Sequence, residues 1–155
     1  MGEAQSLFAL DIDPSEPLER LRTHEDKEVQ TQATIQLAKI ELEREEPQKA
    51  WELIENFTGT ELGPGWDSSV EEIKIFSLVG IKEFEKARQH LQELQQRWSE
   101  NTEVQTVAQI LLINILIGEG NHEEASATLE ESLKNITEEG YRLILEDLKE
   151  EISTL

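Results

Sequence analysis

Pro47-Gln48-Lys49-Ala50, Phe84-Glu85-Lys86-Ala87 and His122-Glu123-Glu124-Ala125 decide how this chain is read. Each segment places an alanine three residues after its leading residue. Four residues past each alanine stands a large apolar residue, Ile54, Leu91 or Leu129. The alanines are 37 and 38 residues apart. A repeat of roughly 30 to 40 residues is the signature of stacked helical hairpins. A small residue lets the two helices of a hairpin approach, and the large residue one turn later fills the groove beside it. A single hairpin cannot bury both faces, so neighbours must stack.

Working outward from these segments, apolar residues keep recurring at helical steps. Ser15 can cap a short helix, with Pro17 in its first turn and Leu18 and Leu21 on one face. Val29, Ala33, Leu37, Ala38 and Ile40 predict a helix over about 27–45, with Asp26 as its cap. Pro47 ends that helix and opens the next, which carries Ala50, Trp51, Leu53, Ile54 and Phe57. Gly59, Gly63, Pro64 and Gly65 crowd residues 58–68, which read as a loop with Trp66 at its end. Further helices are expected over 70–79, 83–98, 103–117, 123–135 and 138–152. The stretch Val104 to Ile117 is apolar almost all round, so it belongs in the middle of a stack. In the last helix the apolar residues are Leu143, Ile144, Leu145, Leu148 and Ile152 and the rest is charged or polar, as suits a terminal cap. No stretch alternates at period two, so no strand is expected. The expected domains are an N-terminal arm over 1–14 and a single helical-repeat domain over 15–155.

The motif Gly120-Asn121-His122-Glu123-Glu124-Ala125 followed by Leu129 resembles the second-helix signature of tetratricopeptide repeats. Lys82-Glu83-Phe84-Glu85-Lys86-Ala87, followed by Leu91 and Leu94, is similar to it too. The resemblance covers roughly residues 30 to 135. It implies an all-α fold, a right-handed stack of antiparallel helical hairpins (an α-solenoid) closed by a C-terminal capping helix. The chain departs from the family in repeat length and in lacking the Trp-Leu-Gly pattern of the first helices. Within such folds, the helix spacing and the glycine-rich turn near 118–120 resemble the epsilon subunit of the coatomer vesicle coat, which is also acidic.

The totals exclude much. Net charge is -20, from 34 acidic and 14 basic residues. Phosphate binding needs clustered Lys and Arg, so nucleic acid is not an expected partner. There is no cysteine, which removes disulfides, thiolate metal sites and thiol nucleophiles together. No targeting segment is expected at the start, and the most apolar stretch falls short of the ~20 residues of a membrane span. No membrane insertion is therefore expected, and the expected location is cytoplasmic. His24, His90 and His122 lie far apart, and Asp11 and Asp13 have no third ligand at a fixed offset. No phosphate-binding glycine loop or nucleophile elbow occurs. The expectation is a protein that is not an enzyme and carries no cofactor and no metal.

In the tetratricopeptide family the first helices of successive repeats line a concave groove. By matching position, that resemblance implies Gln32, Ile35, Lys39 and Leu42 from one repeat, and Ser69, Glu72, Phe76 and Val79 from the next. It implies Ile110 and Asn114 from a third. Trp66 either closes the core or joins the binding face. Ile35 and Lys39 stand where a chaperone-binding subgroup has its clamping Lys and Asn, so no carboxylate clamp is expected. A mostly apolar groove with an acidic rim favours a protein partner that presents a basic or amphipathic helical segment. In so short a stack the inner faces can instead close on one another, with Phe76 and Ile110 as core. Two functions fit: an interaction module or adaptor, and a structural subunit of a larger assembly such as a vesicle coat.

Overall fold

The computed structural model describes residues 15–22 and 24–155, and the arm expected over 1–14 lies outside them. The described residues form eight α-helices and one 3-10 turn, without a strand. The chain divides into two compact units, one ending at Ser77 and the other running from Leu78 to Leu155.

In the first unit, α1 (Ser15–Arg22), α2 (Lys27–Glu43) and α3 (Pro47–Ile54) precede a 3-10 turn at Thr60–Leu62 and most of α4 (Pro64–Gly80). Helix α2 starts where the Asp26 carboxylate accepts hydrogen bonds from the backbone N–H groups of Glu28 and Val29, at 2.9 and 3.3 Å. That satisfies donors which the first turn of a helix leaves without a partner. Two faces of α2 are used. Ala33 and Leu37 meet Leu18 of α1, with Leu21, Ile40 and Leu53 around them. Ile35 and Ala38 pack with Ala50 and Ile54 of α3 and with Val70 and Ile73 of α4. Each fully buried aliphatic side chain contributes about 1.5–3 kcal/mol.

The second unit holds the end of α4, α5 (Phe84–Arg97), α6 (Thr102–Gly118), α7 (His122–Asn135) and α8 (Glu139–Ser153). Asn101 caps α6 by accepting from the Val104 N–H at 2.9 Å. Ile110, Ile113 and Leu116 of α6 form one core with Ala125 and Leu129 of α7 and with Leu145 and Leu148 of α8. Arg142 of α8 donates to the carbonyls of Leu133 and Ile136 at 2.6 and 3.0 Å, which satisfies the end of α7 and fixes α8 against it.

The sequence repeat is also a repeat of backbone geometry. Ala50, Ala87 and Ala125 are all fully buried. Before each lies the same turn: Glu45, Lys82 and Gly120 have φ of 60°, 65° and 81°. The N–H after each donates to a carbonyl five residues back, Glu46 to Glu41, Glu83 to Leu78 and Asn121 to Leu116, at 2.8 to 2.9 Å. This is the left-handed helix ending that glycine adopts most easily. Only the third turn uses glycine; Glu45 and Lys82 take the same conformation at some cost.

Phe57, expected on α3, lies three residues past its end at Ile54, and one boundary differs from expectation by more. Helix α4 begins at Pro64, six residues before the expected Val70, so Pro64, Gly65 and Trp66 are helical rather than looped. Proline is preset for a first turn and its missing N–H would have no helical partner there. The first bond of the helix runs from the Asp67 N–H to the Gly63 carbonyl at 2.9 Å. A second difference lies in α8, where Leu143 and Ile144 are exposed while Leu145 and Leu148 are buried.

Candidate partner-binding cleft

Gln32, Ile35, Gln36 and Lys39 repeat at three- and four-residue steps and therefore share one face of α2. Opposite them stand Gly65, Trp66 and Ser69 from the first two turns of α4. Together these seven residues line an open cleft of about 290 Å³. Its floor is the buried Ile35, its wall is the half-buried ring of Trp66, and its outer lip is the exposed Lys39. Trp66 also packs on the core of Ile35, Ala38, Ala50 and Ile54, so it closes the core with one side and faces the cleft with another.

Glu72 lies one turn past Ser69. Burial pushes its carboxyl above the ordinary value of 4.5, and the positive charge of Lys39 draws it part of the way back. Desolvation disfavours the charged form and a nearby cation favours it; here desolvation is the larger effect. A raised folded pKa means that the group supports the fold below the unfolded value and withdraws that support as pH rises through the folded value. Glu72→Gln is therefore expected to match wild type in stability at pH near 4 and to exceed it at pH 7. Urea midpoints at the two pH values check this; a variant less stable at pH 7 would show that the Lys39 charge outweighs burial.

Of the sequence-predicted residues, Gln32, Ile35, Lys39, Trp66 and Ser69 meet in this cleft, and Glu72 feels the charge of Lys39. Phe76 is half-buried further along α4. Val79, Ile110 and Asn114 belong to the second unit. Ile110 is core there. The Asn114 amide donates to the Ile110 carbonyl one turn back at 2.9 Å, which occupies one of its donors locally. Val79 is half-buried and fills the space beside Gly118, where an added Cβ would stand 2.5 Å from its Cγ1. Gln36 and Gly65 were not predicted. Gln36 had a signal, since it stands one turn from Gln32 and next to Ile35; Gly65 was hidden by its reading as a loop residue.

Other concavities occur among the described residues. A hollow of about 400 Å³ surrounds the turn Arg97–Asn101, and a cleft of about 390 Å³ lies between α6 and α7, with Leu112 and Ile136 beside Gln109, Thr128, Glu131, Ser132 and Asn135. Among the described residues no three His, Asp or Glu side chains converge as metal ligands, and no helix is long and apolar enough to cross a membrane. No protein-family model, no curated protein and no solved structure matches this chain.

Proposed function

We propose that this chain is a non-enzymatic interaction module, of tetratricopeptide-like hairpins in a right-handed stack, that works in the cytoplasm. Its first unit holds a basic or amphipathic segment of a partner protein in the cleft between α2 and α4. The observation that carries this reading is the make-up of the cleft: an apolar floor and an indole wall, flanked by the amides of Gln32 and Gln36. An aliphatic anchor can bury itself on Ile35 and Trp66, while the amides hydrogen-bond the chain that carries it. The cleft lining holds no acidic residue and one cation, Lys39, so the attraction for a cationic segment comes from the net charge of -20 of the whole chain, which makes the complex sensitive to salt.

The test is a titration of isotope-labelled protein with a synthetic amphipathic peptide of leucine and lysine. The amides of Gln32, Gln36 and Lys39 and the indole N–H of Trp66 are expected to shift together. Gln36→Arg, which places a cation in the mouth of the cleft, is expected to weaken this binding about tenfold, or 1.4 kcal/mol. Unchanged cleft signals, or an affinity read from those cleft signals that is unchanged in Gln36→Arg, would reject the reading.

A further inference from the structure

The outer face of α8 combines apolar exposure with one sign of charge. Leu143 and Ile144 are 58% and 45% exposed, although the same helix buries Leu145 and Leu148. Around Leu143, at one-turn and two-turn steps, stand Glu139, Glu146, Asp147 and Glu150, all exposed. The two cations of α8 are both engaged on α7. Arg142 donates to the carbonyls of Leu133 and Ile136, and the Lys149 ammonium lies 3.0 Å from the Glu130 carboxylate. What faces outward is therefore an apolar centre in a ring of carboxylates.

We propose that this face is a second docking surface, independent of the α2–α4 cleft, and that it takes an amphipathic helix of another protein with Lys or Arg on both sides of its apolar stripe. The charge pattern selects this occupant. A helix laid along α8 places its apolar stripe on Leu143, with Ile144 at its edge, and its flanking positions meet Glu139, Glu146 and Glu150 on one side of Leu143 and Asp147 on the other, as in paired helices generally. A second copy of this chain would bring the same carboxylates against their like, which suppresses pairing.

The test uses Gln36→Arg protein, in which the first cleft is obstructed, and the synthetic leucine–lysine helix as probe. Binding is expected to persist and to shift the amides of residues 143–147. The double variant Leu143→Ser/Ile144→Ser in that background is expected to lose at least tenfold in affinity with an unchanged helical circular dichroism spectrum, because both side chains are exposed. Equal affinity in the double variant would overturn the proposal. So would equal binding of a serine–lysine peptide of the same charge, which would reduce the effect to charge attraction. Concentration-dependent dimers that vanish in the double variant would assign the face to a second copy and overturn it as well.

Discussion

Lys74→Met is expected to destabilise the protein by about 3–5 kcal/mol, while adding Glu71→Leu to it is expected to restore stability to within about 1 kcal/mol of wild type. Glu71 and Lys74 are only 5% and 6% exposed, in the middle of α4. The ammonium stands 3.8 Å from the nearest Glu71 oxygen, beyond ordinary hydrogen-bond length. A contact that long recovers little of the cost of taking two charges out of water. Its contribution is mutual neutralisation, which is why removing one member costs more than removing both. For a chain of this size each kcal/mol moves Tm by roughly 2–4 °C. The single variant is thus expected to melt on the order of 10 °C lower, and the double variant close to wild type. Thermal and urea unfolding of the two single variants and the double complete the cycle. A Lys74→Met protein that melts within about 2 °C of wild type would show that the carboxylate does not need its neighbour.

This pair also marks the limit of what hydrophobic pattern can tell. Helix α4 carries Val70, Ile73, Ile75, Phe76, Leu78 and Val79, which are spread around the helix. With apolar residues on every side, periodicity names no solvent face, and the charged residues become the only markers of one. Glu71 and Lys74 then read as surface, yet both are buried, and Glu72, which the family resemblance places in a groove, is half-buried. Tertiary packing decides that, and no local signal records it. The repeat was legible for the opposite reason. The alanines and the turn before each are demands of local geometry, set by how closely two helices pack and how the chain reverses. The same contrast holds in the cleft. The tetratricopeptide resemblance places Gln32, Ile35, Lys39 and Ile110 all on a groove face; the first three do share one face of α2, whereas Ile110 packs into the core, the alternative left open for it, because α6 is apolar on nearly every side.

Gly59→Ala is expected to cost about 2–3 kcal/mol, toward the upper end of what overpacking costs. The cause is steric. The φ and ψ of Gly59 are -100° and 6°, which alanine adopts without strain. A Cβ there would stand 2.7 Å from the backbone carbonyl carbon and oxygen of Trp66 and from the Asp67 nitrogen. These are backbone atoms, so no rotamer change relieves the contact. Either residues 58–60 or the first turn of α4 must move, and that turn is held by the bond from Asp67 N–H to the Gly63 carbonyl. Gly65→Ala, six residues on, is the control. A Cβ at Gly65 meets nothing within 4 Å, and the position is helical. Alanine there is expected to raise stability by about 0.4–1 kcal/mol by reducing the freedom of the unfolded chain. Urea unfolding of the two variants checks the opposite signs; equal effects would show that glycine is needed in this segment for flexibility rather than for space. The contact also reaches the cleft. Trp66 forms its wall, so a Gly59→Ala protein that shifts the α4 first turn is expected to bind the leucine–lysine peptide more weakly even where it remains folded. A destabilised variant with wild-type affinity for that peptide would place the contact site away from Trp66.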